Sequence, residues 1–181
     1  SESFVSVLRE TAGELTLQGR VGGIGPGEDI RSVRFEGDRG FVVTFKKTDP
    51  LYMLDFSRPS EPRVTGELKI PGFSTYMHFI DDTHLLTIGY DADDQGSFAW
   101  FQGVMLQIFD VSSPENLALV HKEVIGTRGS SSVALTNHLA FNYFAPKNTL
   151  ALPMTICEDS GGGGSYGQTM TFSGLLVYEV S

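Results

Sequence analysis

Cysteine is almost absent: Cys157 stands alone among 181 residues, so no intrachain disulfide can staple the fold. Basic residues are scarce too, with 13 Lys and Arg against 22 Asp and Glu, a formal charge of −9, and Lys46-Lys47 as the one adjacent basic pair. That balance argues against nucleic acid and against anionic membrane surfaces. No apolar run approaches the ~20 residues needed to span a bilayer, so direct membrane insertion is not expected. No secretory leader follows Ser1, which leaves a mature form or an excised piece. No segment of useful length shows a helical period either. His78, His84, His121 and His138 lack the H-x-H or H-E-x-x-H spacing of metal ligands. A single thiol and 40% hydrophobic residues describe one domain with a sizeable core and no disulfide scaffold.

The chain does contain a phrase written three times. It reads Tyr52-Met53-Leu54-Asp55-Phe56-Ser57-Arg58-Pro59, then Gln107-Ile108-Phe109-Asp110-Val111-Ser112-Ser113-Pro114, then Leu176-Val177-Tyr178-Glu179-Val180-Ser181. Each copy is a short alternating strand ending on an acid, a hydrophobe and a serine, and in two of them a proline follows where a ladder must stop. Self-similarity of this kind points to a repeated all-β unit such as a propeller blade. Aligning on the phrase predicts strands over 30–36, 41–45, 51–56 and 64–70, one complete blade within 28–72. A second, within 73–128, takes strands over 75–80, 85–90, 104–111 and 117–125. An incomplete third, over 129–181, starts near Ser132 and continues through 138–144, 150–156 and 175–180. Residues 1–27, with strands at 4–8 and 15–20, end an earlier blade. The expected fold is thus all-β: about three four-stranded blades plus a partial one, a sector of a larger ring.

The second-to-third connection varies between copies: short at 46–50, but long at 91–103 and at 157–174. Antiparallel strands put all of these on one rim, where long loops usually carry binding function. Within the first long connection, Asp91, Asp93, Gln95 and Gly96 fall at positions one, three, five and six of a calcium-type loop, with Asp94 beside them. The twelfth position is Gln102 rather than the bidentate glutamate. Calcium is the functional reading of this stretch, and a solvated acidic turn is the structural one. Phe98, Trp100 and Phe101 follow; they offer a stacking platform or anchor, or they fold back over the sheet. Gly163-Gly164-Ser165-Tyr166-Gly167 matches G-x-S-x-G but lacks the strand–turn–helix context of a nucleophile elbow. Asp55, Asp110 and Glu179 recur at one strand end before a serine, which reads as turn capping. His78 and His138 lie on predicted inner strands, where a hydrogen-bonded structural role is expected. No residue is assigned a catalytic role, and Cys157 beside Glu158 and Asp159 lacks an electropositive setting.

The run Ser32-Val33-Arg34-Phe35-Glu36-Gly37-Asp38-Arg39-Gly40-Phe41-Val42-Val43-Thr44-Phe45 carries a resemblance, together with Thr48 to Tyr52 and Gly66 to Tyr76. So do Phe109-Asp110-Val111-Ser112 and His138-Leu139-Ala140-Phe141. Over roughly 27–181 the chain resembles prokaryotic secreted proteins with a C-terminal β-propeller domain distantly related to WD repeats. The resemblance implies an exported propeller, extracellular or periplasmic, secreted or attached to the envelope. It also implies that the parent continues past Ser181, and it implies no reaction.

These strands lead to a non-enzymatic module that binds an envelope or extracellular protein or polysaccharide through its loop-bearing face. Asp94, Phe98, Trp100 and Phe101 would form part of that surface. The alternative is a hydrolase or lyase acting on polysaccharide or peptide, with acids at the channel mouth. A homodimer is expected if two chains close one six-bladed ring by lending the N-terminal strand pair to the partner's last blade.

Overall fold

The computed structural model describes residues 2–45, 49–70, 72–94, 99–158 and 167–180. Its regular structure is β throughout, apart from four three-residue 3₁₀ turns. β1 (Ser3–Thr11) and β2 (Glu14–Ile24) form a hairpin. β3 (Asp29–Glu36), β4 (Arg39–Phe45), β5 (Asp49–Asp55) and β6 (Arg63–Ile70) form a four-stranded antiparallel meander. β7 (Phe73–Phe79), β8 (His84–Asp94), β9 (Ala99–Asp110) and β10 (Ala118–Ile125) form a second. In the third sheet β11 (Ser131–Ser132) and β12 (Asn142–Phe144) both pair with one edge of β13 (Thr149–Glu158). β14 (Thr169–Glu179) pairs with its other edge.

Period-2 alternation explains why these sheets stack. On β4, Val42 turns to the hairpin and meets Val21, Ile24, Tyr52 and Leu54. Its neighbours Phe41 and Val43 turn the other way, into a layer with Leu51, Met53, Met77, Leu85 and Phe109. β8 repeats the arrangement: Leu85 faces the first sheet, while Leu86 and Ile88 join Val104, Leu106, Leu150 and Leu152 against the third. A strand buried on both faces must be continuously apolar, as Phe41-Val42-Val43 is. Each such large side chain contributes roughly 1.5–3 kcal/mol on burial. Close approach of backbones sets a second constraint. A Cβ on Gly89 would run into the carbonyl of Phe73, beside the bulge where β7 slips between Ser74 and Tyr76.

Two departures from the sequence expectation have local causes. The strand predicted over 138–144 is a 3₁₀ turn at His138–Ala140, and only Asn142–Phe144 joins the ladder. Asn137 caps that turn by accepting from Leu139 N (3.1 Å), and Ser132 caps Val133–Leu135 by accepting from Ala134 N (3.1 Å). Short polar side chains thus compete with the ladder for backbone donors, and the innermost strand is interrupted. The interruption turns Ala134 and Leu135 into the core instead. The second departure concerns the long connections. Cross-strand pairs Ala92↔Phe101, Asp93↔Trp100 and Asp94↔Ala99 extend β8 and β9, so most of 91–103 is hairpin rather than loop. β13 and β14 lengthen similarly, pairing Glu158 with Thr169.

The repeated acids behave as turn caps. Asp55 Oδ1 accepts from Ser57 N at 2.8 Å, and Asp110 Oδ1 accepts from Ser112 N at 2.8 Å. Glu179 stands opposite Thr149 in the ladder, as Asp55 stands opposite Arg39 and Asp110 opposite His84, and its serine, Ser181, lies outside the described residues. Asp81 does the same work at the β7–β8 turn, accepting from Thr83 N and His84 N, each at 2.7 Å. The hydrogen bonds to Ser57 hold the Asp55 carboxyl at about 2, against an ordinary 3.8. At Asp81 burial opposes ionisation, but the bonds from Thr83 and His84 outweigh it and again hold the carboxyl at about 2.

Two measurements check this account. These depressed carboxyls add stability that is complete above the unfolded value near 3.8 and is lost as pH falls towards 2. Thermal unfolding of Asp81→Asn should therefore show a flatter fall in Tm across that window than the parent; equal slopes would remove Asp81 from the explanation. Gln107 is fully buried, and its Oε1 and Nε2 find no partner among the described residues. Gln107→Met keeps the shape and discards the orphaned amide, so it should stabilise by about 1 kcal/mol and raise Tm by about 2–4 °C. An unchanged or lowered Tm would mean that the amide is satisfied in solution.

Candidate functional site

The extended β8–β9 hairpin places the residues singled out in the sequence. Asp91 sits at a bulge between Tyr90 and Ala92, and its Oδ1 accepts from Lys122 Nζ at 2.6 Å. Asp93 and Asp94 lie on the ladder itself, opposite Trp100 and Ala99. An ion-wrapping loop curls the chain so that alternate oxygens converge, whereas a ladder extends it by about 3.3 Å per residue. The acidic turn expected over 91–96 is corrected at 91–94, which is strand, and Gly96 lies outside the described residues. Gln95 and Phe98 lie outside the described residues, as do residues 163–166 of the G-x-S-x-G match. Among the described residues no three His, Cys, Asp or Glu side chains come together as metal ligands.

The aromatic residues fall into two groups at the hairpin's base. Phe101 is 39% exposed and packs on Phe73 (5.0 Å between ring centroids), Phe45 (5.8 Å) and Tyr90 (6.1 Å). The Arg31 guanidinium lies over Phe73 at 5.3 Å and over Phe45 at 5.7 Å. Burial beside these rings pushes the Tyr90 hydroxyl up from its ordinary pKa. Trp100 turns instead to Arg128, whose guanidinium stands 5.2 Å from its ring. Arg128 adjoins Thr127, which is bonded through N and Oγ1 to the Cys157 carbonyl. The ends of β4, β9 and β13 thus share one rim, carrying exposed π surface and guanidinium groups in fixed pairs. A surface of this kind can stack on a planar or sugar-like face and donate hydrogen bonds to acceptors beside it.

The inner strands carry a second aromatic group. His78 lies 5.6 Å from Phe141 and 5.5 Å from Tyr143, and the His138 ring is stacked 6.3 Å from Tyr76. Burial holds His78 below its ordinary pKa, with Arg34 adding to the effect. His138 reaches this group from an exposed 3₁₀ turn rather than from an inner strand.

Sequence reasoning missed a cleft between the second and third sheets, at the end opposite the hairpin. A cavity of about 620 Å³ opens there, lined by His84, His121 and Tyr143 among apolar walls. It adjoins a recess of about 160 Å³ that shares Ile108, His121 and Val180. His84 Nδ1 is 2.8 Å from Asp81 Oδ2, which fixes the neutral ring as the Nδ1–H tautomer. Tyr178 donates to Glu123 Oε1 at 3.5 Å, and burial together with that carboxylate pushes the phenol up to about 12. The signal was present, since His121 and Glu123 alternate on one strand and Tyr178 belongs to the repeated phrase. Their convergence needs two sheets brought face to face.

Comparison with known proteins adds a family and two relatives. The chain is 39% identical over 140 residues to an uncharacterized protein of Archaeoglobus fulgidus, covering 77% of this chain and 20% of the relative. It is 40% identical over 104 residues to an uncharacterized protein of Methanocaldococcus jannaschii, covering 58% of this chain and 16% of that one. The chain thus spans a fifth or less of the length of the curated relatives it matches. No solved structure matches. The family described as the beta propeller domain matches residues 1–181 throughout, on a chain built from four-stranded antiparallel sheets. This chain therefore belongs to the beta propeller domain family.

Proposed function

We propose that this domain is a non-enzymatic binding module of an exported protein, engaging an envelope or extracellular protein or polysaccharide through its hairpin-bearing rim. The observation that carries the reading is the cluster of Phe45, Phe73, Tyr90 and Phe101 at the base of the β8–β9 hairpin, with the Arg31 guanidinium over Phe45 and Phe73. Aromatic and arginine side chains on a rigid scaffold are the residues that dominate binding energy at interfaces. Phe101 is the exposed ring of the cluster, and it loses little further entropy on contact because packing on the buried Phe45 and Phe73 has already fixed it. Each four-stranded sheet acts as a blade, and the rim residues come from neighbouring blades.

Ring closure with a second copy would bring further rims alongside this one. Both outward faces of the stack are apolar. On the third sheet Leu175 and Val177 are 59% and 62% exposed; on the hairpin Leu8 and Leu17 face each other at 52% and 56%. For this chain by itself, a second copy is the surface available to cover them.

Two experiments follow. On arrays of envelope polysaccharides and extracellular proteins, Phe101→Ala and Arg31→Ala should each weaken the strongest binding about tenfold or more, with Tm nearly unchanged. Wild-type binding by both variants would remove the rim from consideration. Light scattering over a wide concentration range should return the mass of a dimer. A monomer at all concentrations would assign closure to further sheets of a longer polypeptide.

A further inference from the structure

The cleft between the second and third sheets is independent of the rim and has a chemistry of its own. Its walls are apolar: Ile108 and Val120 come from the second sheet and Val180 from the third, with Leu106 and Leu150 in the adjoining recess. Its polar groups offer acceptors. Glu123 is a carboxylate that accepts a long bond from Tyr178. His84 in its neutral form donates Nδ1–H to Asp81 and keeps the Nε2 lone pair. Tyr143 donates its hydroxyl proton to Asn148 Oδ1 at 3.2 Å and keeps its oxygen as an acceptor. Asp81, Glu123 and Glu179 bring three negative charges, and among the described residues neither Lys nor Arg lines the cavity or the recess. With three carboxylates and no Lys or Arg, such an environment is mismatched to an anion, although His121, Asn148 and Gln107 can donate as well as accept. It complements a group that carries positive charge and several N–H donors on an apolar stem.

We propose that this cleft is a binding site for a small primary ammonium on an aliphatic stem, with the ammonium at Glu123 and the stem along Ile108, Leu106 and Leu150. A free alkylamine and a lysine side chain share this chemistry. The recess of about 160 Å³ has room for a stem of a few methylenes, and the cavity of about 620 Å³ gives it access.

The test is a titration of the 181-residue protein, followed by NMR at the methyl groups of Ile108 and Leu150 and the ring of His121. The probes are n-butylammonium, n-butanol and butyrate, matched in stem and different in head group. Saturable shifts at these three residues are expected with n-butylammonium, at least about tenfold tighter than with n-butanol and absent with butyrate. Glu123→Gln should weaken n-butylammonium about tenfold. Val120→Trp, placed at an exposed position on the cavity wall, should block it while the spectrum of the folded protein persists. Nα-acetyl-lysine methylamide forms the other arm: saturation by it as well would assign the site to lysine side chains, and saturation by n-butylammonium alone to free amines. Absence of a saturable shift up to the solubility limit, equal binding of n-butanol or butyrate, or wild-type affinity in Glu123→Gln would each overturn the proposal.

Discussion

Strands that are buried on both faces are the constraint from which the rest of this structure follows. β4 and β8 each send successive side chains into two different apolar layers, so the first and second four-stranded sheets are each glued to a neighbour on either side. No disulfide is available, and apolar burial at roughly 25 cal/mol per Å² must carry the stack. The same constraint fixes register, because a slip of one residue on β4 would exchange Val42 for Phe41 and reverse both layers at once. It also fixes where backbones can approach, as at Gly89 against the carbonyl of Phe73.

A scaffold held from both sides leaves its strand ends free to vary, and this chain uses the two ends differently. At one end the hairpins lengthen and display aromatic rings paired with Arg31 and Arg128. At the other end Asx-type turns built by Asp55, Asp81 and Asp110 keep the connections short, and carboxylates accumulate there. The cleft between the second and third sheets opens towards that second end. Its acidic and aromatic lining follows from the same turns that hold the strands together, since Asp81 both closes the β7–β8 turn and orients His84.

Gln107 runs against this economy. It occupies a central position on β9, opposite Thr87 and Lys122, yet its amide is buried without a partner among the described residues. It stands among the residues that line the recess of the cleft, between Leu106 and Ile108. Thr87 beside it is better served, taking part in a 3.0 Å bond with Ser74.

Much of the architecture was legible because alternation, turn residues and repetition are all local properties. The repeated acid–hydrophobe–serine phrase located the turn-capping Asp55 and Asp110. The runs around Phe41 and Leu85 marked strands with two buried faces. Local signals failed where side-chain capping and strand pairing competed. Ser132 and Asn137 drew 133–140 out of the innermost strand, and cross-strand pairing of Ala92 with Phe101 drew an expected acidic loop into a ladder. By itself the sequence determined an all-β chain of repeated strands with aromatic and acidic residues at its hairpins, because period and composition are written along the backbone. Only the tertiary structure decided that Arg31 would cap Phe45 and Phe73, and that His84, His121 and Glu123 would meet Tyr143 and Tyr178 across a cleft. Those groups lie on different strands and sheets, and packing of apolar faces, not sequence proximity, brings them together.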